Sequence, residues 1–321
     1  MMTKIGITLG DPAGIGYEIT AKSLLNYKNK DRFVLIGNRE HFLSVLDLLK
    51  IDRKYFEDIE FIDIDGGRIE FGKVQEEAGR ISYKSVEKGI EIALKGEIDA
   101  LVTAPINKES WQRAGSKFID HTTMLQVLTG SKDVGTVFEV KRLRIIFLTK
   151  HISLIEACRQ VKKENVKRGI MMADQALKML GIDNGKIAVA ALNPHGGEGG
   201  LFGREEIDEI LPAIKEMEGT YNVYGPFPAD SIFHQASLGY YDIVLSLYHD
   251  QGHIAAKTYD FDRTVSLNIG LPFLRTTVDH GTAFDIAGKG IAKEISMLES
   301  IKKAIKYALI YKENYYKYIK K

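Results

Sequence analysis

A single cysteine, Cys158, leaves the chain unable to close a disulfide within itself, and a reducing compartment is the expectation. Charge of neither sign dominates. The 44 Lys and Arg against 43 Asp and Glu leave +1, which gives no global reason to seek nucleic acid or an anionic membrane. No apolar run approaches the roughly 18 residues of a membrane-spanning helix. The opening MMTKIGITLG is too short in its apolar part for a secretory signal and runs straight into a strand pattern. Internal repeats, low-complexity tracts and Pro- or Ser-rich linkers are missing as well. With 45% hydrophobic and 27% charged residues over 321 positions, the balance is that of a soluble globular chain, expected in the cytoplasm. Its length predicts two lobes of roughly 150 residues each.

Short runs rich in Val, Ile and Leu predict strands at Lys4–Leu9, Phe33–Ile36, Glu60–Ile64, Ala100–Thr103, Lys186–Leu192, Tyr221–Tyr224 and Asp242–Leu247. Helical periodicity lies between and after them, at Ser85–Leu94, Leu154–Leu180, Glu205–Met217 and Ile295–Ile319. This alternation predicts mostly parallel sheet covered by helices on both faces. Gly135–Val140 and Leu143–Thr149, separated only by Lys141 and Arg142, read as a hairpin on a sheet edge. Three of the seven prolines, Pro12, Pro105 and Pro194, mark strand ends. In open α/β sheets ligands bind beyond those ends.

Five of the eight histidines stand in polar contexts: His121, His151, His195, His249 and His280. His151, His195 and His249 each follow a β-rich run, as three β–loop junctions of one sheet would supply them. Three neutral imidazoles suit a catalytic divalent ion; the alternative is three loop histidines bonding carbonyls. Asp250 is a natural partner for His249 or an additional ligand. His41, His234 and His253 read as structural. The GDPAGIG segment, Gly10–Gly16, is either a backbone nest or close approach to a ligand, or a tight turn needing positive φ. NPHGGEGGLFG holds five glycines in eleven residues, an entropy cost that a mere connection need not incur. DHGTAFDIAGKGI, residues 279–291, reads as three glycines around a short helical stretch. Lys257 and Arg275 offer the two modes by which proteins hold phosphate. The basic run Lys302–Lys321 has its charges at helical spacing around Ile305, Leu309 and Ile310, a solvated amphipathic helix and not a nucleic-acid surface.

Together GDPAGIG, VTAPINK, His121–Thr122, His151, NPHGGEGG, GPFPAD, YHDQG and GLPFLRTTVDHGTAFDIAGKG resemble the family of 4-hydroxythreonine-4-phosphate dehydrogenases, in family order over residues 6 to 291. HGTAFDIAGKGIA is also similar to the adenine-side loop of isopropylmalate and isocitrate dehydrogenases, which explains an NAD enzyme without GxGxxG. The resemblance implies two α/β/α lobes with mostly parallel sheets and a cleft between them. The first would comprise 1–125 plus 276–321 and the second 126–275. It implies one divalent ion (Zn, Mg or Co) on His151, His195 and His249, the third supplied by the partner subunit of a homodimer whose active site lies at the subunit interface. Substrate contacts fall at His121, Thr122, Lys257 and Arg275, and cofactor contacts at His280, Gly281, Thr282, Asp285 and Gly288. Two departures touch substrate. Ser266 stands where the family has Asn, with Asn268 two residues on and facing the same side, and Thr123 replaces a Glu.

The activity implied is NAD- or NADP-linked oxidation of 4-hydroxythreonine 4-phosphate to a β-keto acid that decarboxylates to 3-amino-2-oxopropyl phosphate, in pyridoxal 5'-phosphate biosynthesis. Catalytic candidates are Asp250 and Lys257; Asp250 and a water on the metal compete as the base. The alternatives are a dehydrogenase of a related sugar acid, threonate or erythronate 4-phosphate, and a non-catalytic phospho-ligand-binding protein on the same scaffold.

Overall fold

The computed structural model describes residues 3–319. In chain order the elements begin β1 (Ile5–Thr8), α1 (Gly16–Leu24), β2 (Phe33–Gly37), α2 (Arg39–Leu48), β3 (Glu60–Asp63), α3 (Glu76–Leu94), β4 (Ala100–Thr103), α4 (Lys108–Arg113) and α5 (His121–Thr129). The hairpin β5 (Gly135–Val140) and β6 (Leu143–Phe147) follows, then α6 (Leu154–Arg159), α7 (Lys163–Met179), β7 (Ile187–Ala190) and α8 (Leu211–Met217). The chain closes through β8 (Val223–Phe227), α9 (Ala229–Leu238), β9 (Ile243–Ser246), α10 (His249–Asp260), β10 (Val265–Ile269), β11 (Leu274–Val278) and α11 (Ile295–Tyr318). None of these helices is long and apolar enough to cross a membrane.

Two compact units divide the chain. One runs through Val134 and resumes at Gly270; the other is Gly135–Ile269. The expected limits would have cut α5 and β11, whereas these breaks fall at the start of β5 and the end of β10.

In the first unit the strands lie β3-β2-β1-β4-β11, all parallel. β1, β2 and β4 are buried at every position, which is why they read as nearly continuous apolar runs, β1 and β4 each closing on a threonine. Val34, Ile36, Val86, Ile90, Leu101, Trp111, Leu125 and Phe273 form a core on one face. The second unit has the order β10-β5-β6-β9-β7-β8. β5 is antiparallel to both neighbours, while β6, β9, β7 and β8 run parallel. The hairpin is therefore flanked by β10 and β9 and is not at an edge.

Other differences from expectation have local causes. The helix expected over 154–180 breaks after Arg159. There the carboxylate of Glu209 accepts from the backbone N–H of Lys163 at 2.8 Å and from Lys162 Nζ at 2.9 Å, capping a new helix. The helix expected from Glu205 opens as a π turn over Glu206–Ile210 before α8. Pro212 has no N–H to continue the ladder there. In α11 the buried stripe is Met297, Ile301, Ala304, Tyr307, Ala308 and Tyr311, while Leu309 and Ile310 face outward. Lys320 and Lys321 of the basic run lie outside the described residues. The stretch 279–291 is a series of turns and not a helix, with Ala283 at φ 46°.

Candidate active site

Parallel pairing puts the carboxyl ends of β6, β9 and β7 on one rim of the second unit, and the three histidines follow those ends. The rings of His151 and His249 lie 5.6 Å apart between centroids. His249 Nδ1 meets Asp250 Oδ1 at 2.6 Å, which leaves Nε2 as the ring nitrogen not used in that contact. One turn along α10, His253 stacks on His249 at 3.7 Å and donates from Nδ1 to the His249 carbonyl at 2.8 Å. Its ring is also packed on Phe138 and Phe147, consistent with its structural reading. Lys257 lies two turns beyond His249 on the same helix, its Nζ 5.4 Å from the Phe261 ring.

His195 sits on a stretch with a rare backbone. His195, Gly196, Gly197, Glu198, Gly199 and Gly200 all have positive φ, a left-handed run that includes two residues with side chains. Glu206, buried, anchors it: Oε1 accepts from the N–H groups of Leu192 and Asn193 at 2.8 Å, and Oε2 accepts from Asn193 Nδ2 at 2.9 Å. A Cβ on Gly197, at φ 83°, would stand 2.8 Å from that Oε2, so a side chain there would have to displace the anchoring carboxylate. His195 Nδ1 faces Glu198 Oε1 at 3.1 Å. Gln251 ties the bases of two loops together. Its Nε2 donates to the Ala191 carbonyl and its Oε1 accepts from the N–H of Leu247, each at 2.8 Å.

The donor chemistry suits a divalent ion: imidazole rings, two of them with Nδ1 beside a carboxylate. Among the described residues, however, no three His, Cys, Asp or Glu side chains of one chain converge closely enough to hold one. His151 and His249 are the pair that lies close, while His195 is exposed on its loop.

Beside the histidines, the structure joins Asn268, expected from the sequence, to Lys150 and Thr136, which sequence reasoning missed. Lys150 Nζ donates to Thr136 Oγ1 at 3.0 Å, and Asn268 Nδ2 reaches the same oxygen at 3.3 Å. Ser266 and Asn268 are both buried, on one face of β10. Burial lowers the Lys150 pKa. The only signal in the sequence was a charged residue shortly after a buried strand and next to His151.

At the rim of the first unit, Arg275 is buried. Its Nε and Nη2 donate to Thr103 Oγ1 at 3.0 and 2.6 Å, and burial pulls its pKa down to about 9. His121 opens α5, edge-on to Trp111 at 5.6 Å, with Nε2 buried and unpartnered. Burial, then the charges of Arg275 and Lys108, hold its pKa well below the usual imidazole value, so the ring is neutral. The neighbouring Thr122 is half-buried, and Thr123 N–H is capped by Asp120 Oδ1 at 2.8 Å.

The GDPAGIG segment is a packed turn. Gly10 has φ 76°, and a Cβ there would lie 2.3 Å from the Pro105 carbonyl oxygen. Its N–H groups are spent internally: Ala13 on Asp11 Oδ1, Gly14 on the Asp11 carbonyl, Ile15 on the Thr282 carbonyl. A phosphate nest is thereby excluded at these three amides. Asp11 is fully buried with Oδ2 unpartnered, and burial raises its pKa to about 6. In the 279–291 turns, His280 Nδ1 lies 3.0 Å from the Gly281 carbonyl, Gly281 faces open space and Asp285 is exposed, while Gly288 packs on Phe71.

Comparison with known proteins places this geometry. The family described as pyridoxal phosphate biosynthetic protein PdxA matches residues 21–304. Two curated relatives are named "Putative D-threonate 4-phosphate dehydrogenase". The one from Fusobacterium nucleatum is 46% identical, covering 96% of this chain and 98% of its own. The one from Symbiobacterium thermophilum is 48% identical, covering 96% and 97%. Among solved structures, a 4-hydroxythreonine-4-phosphate dehydrogenase from Klebsiella pneumoniae superposes with a TM-score of 0.86 at 38% identity over 96% of this chain and 98% of its own. Another from Burkholderia phymatum gives 0.81 at 36% identity over the same shares.

Proposed function

The chain belongs to the PdxA family, and from that membership we infer a dehydrogenase acting on the hydroxyl group of a four-carbon hydroxy acid phosphorylated on C4. We propose NAD as the oxidant, C3 as the oxidised carbon, and loss of carbon dioxide from the resulting 3-oxo acid. Relatives of higher identity carry the name of D-threonate 4-phosphate, so we place that sugar acid first and 4-hydroxythreonine 4-phosphate second. The observation that carries the reading is the His151–His249 pair at the strand ends, with Asp250 fixing the His249 ring.

His151 and His249, with His195 from a second copy in a homodimer, would hold a divalent ion. When bound, such an ion supplies a Lewis acid that lowers the pKa of a hydroxyl and accepts electron density from a carbonyl. Asp250 spends Oδ1 on His249 Nδ1, which assigns it to orientation. Arg275 presents a guanidinium to the substrate's anionic end, and Lys257 adds a point charge for the same task. His121, neutral, can donate to or accept from a substrate oxygen at Nε2, with Thr122 beside it. Ser266 and Asn268 contribute hydroxyl and amide contacts. The turns bearing His280, Gly281, Thr282, Asp285 and Gly288 hold the dinucleotide. The protein works in the cytoplasm on a small molecule, without nucleic acid or membrane as partner.

The test is a panel of phosphorylated and unphosphorylated hydroxy acids, followed at the NADH absorbance band with and without chelator. NADH formed only from 4-phosphorylated acids, and lost on chelation, is expected. Binding of the same acids with no NADH from any of them would favour a non-catalytic phospho-ligand-binding protein instead.

A further inference from the structure

The two candidate substrates differ in one group: C2 bears a hydroxyl in threonate 4-phosphate and an ammonium in 4-hydroxythreonine 4-phosphate. Lys150 lies three residues past the end of β6, on the histidine-bearing rim, and is the covalent neighbour of His151. The β5–β10 register sets Thr136 opposite Asn268 and Phe138 opposite Ser266. Residues two apart share a face, so Ser266, Asn268 and Thr136 line one side of the sheet. The Lys150 ammonium is held on that side, 3.0 Å from Thr136 Oγ1.

Hydrogen-bond polarity sharpens the placement. Thr136 Oγ1 accepts from both Lys150 Nζ and Asn268 Nδ2, which uses its two lone pairs and leaves only its proton to offer. The ammonium has two further N–H groups, and no carboxylate pairs with it among the described residues. A C2 hydroxyl or a carboxylate oxygen can accept from these groups. A second ammonium is a donor only and meets like charge.

We propose that Lys150 is a specificity-determining residue, and that its ammonium selects an oxygen substituent at C2 over an amino group. This rests on the dehydrogenase reading above. The experiment compares kcat/KM for the 2,3-dihydroxy acid 4-phosphate and for its 2-amino-3-hydroxy counterpart, using the metal-loaded protein, Lys150→Met and Lys150→Arg. Metal content is measured on each variant, to separate any effect on His151, and Lys150→Gln replaces Lys150→Met should the latter not fold. The native protein is expected to favour the dihydroxy acid, the ratio to fall at least tenfold in Lys150→Met, and Lys150→Arg to keep most of it. A merely structural lysine would lower both rates and leave the ratio where it was. A ratio within twofold of native in the uncharged variant, or a native preference for the amino acid, overturns the proposal while leaving the dehydrogenase reading in place. Turnover of neither compound overturns that reading, and the proposal with it.

Discussion

Replacing Asp11 with asparagine should make the protein more stable at neutral pH. Asp11 is fully buried, and its carboxyl pKa is raised to about 6 from 3.8, chiefly by desolvation, against the pull of the Ala13 N–H, the Ser110 hydroxyl and the Asn107 backbone. A raised pKa means the folded state holds the proton more tightly than the unfolded one. Its stabilising effect is therefore complete below about pH 4 and is lost as pH rises through about 6. A shift of about two units corresponds to roughly 3 kcal/mol, an upper figure for what the buried charge costs at pH 7.5. Asparagine keeps an oxygen for the Ala13 N–H, now accepted by Asp11 Oδ1 at 2.8 Å, and carries no charge. Urea unfolding at a series of pH values should show Asp11→Asn ahead of native protein by up to about 3 kcal/mol at pH 7.5. The advantage should shrink between pH 6 and 4 and vanish below. An advantage independent of pH, or none at pH 7.5 with the native spectrum retained, would refute the reasoning.

His249→Ala and His151→Ala should each abolish NADH formation and divalent-metal binding by equilibrium dialysis, with the far-ultraviolet circular dichroism unchanged. Asp250→Asn, which disturbs only the bond to His249 Nδ1, should weaken metal affinity by about 10–100-fold. Glu206→Ala strands the N–H groups of Leu192 and Asn193 and should cost about 2–6 kcal/mol in denaturant unfolding, at about 1–3 per group; a loss under about 0.5 kcal/mol would argue against the anchoring role. Arg275→Met should raise KM for the phosphorylated substrate by about 10–100-fold, the value of a charge-assisted contact, and lower kcat less. Unaltered KM would remove Arg275 from the substrate site.

Much of the scaffold was legible because β1, β2 and β4 are buried at every position and therefore written almost wholly in apolar residues, with Thr8 and Thr103 at the ends of β1 and β4. The same rule hid β10 and β11. Ser266, Asn268, Arg275, Thr276 and Thr277 interrupt their apolar pattern, and three of these five are the residues proposed to meet substrate. Polar side chains in a buried strand are a poor strand signal and a good site signal. Asp250 was legible beside His249 because the contact is between neighbours in the chain. Lys150 with Thr136 and Asn268, or Glu206 under the His195 loop, depend on strand register and left-handed backbone, which no local pattern announces. The break after Arg159 was invisible for the same reason, since its cap comes from Glu209.

The way the chain is divided has a consequence for its synthesis. Gly135–Ile269 is one continuous stretch and can finish folding while the ribosome is still extending the chain. The unit around it cannot. β4 pairs on one side with β11, made late, and the Gly270 N–H and Leu271 carbonyl bond to the hydroxyl of Tyr311, nearer still to the end. Until those last segments emerge, β4 presents a bare apolar edge, and the nascent protein is most in need of a chaperone in that interval.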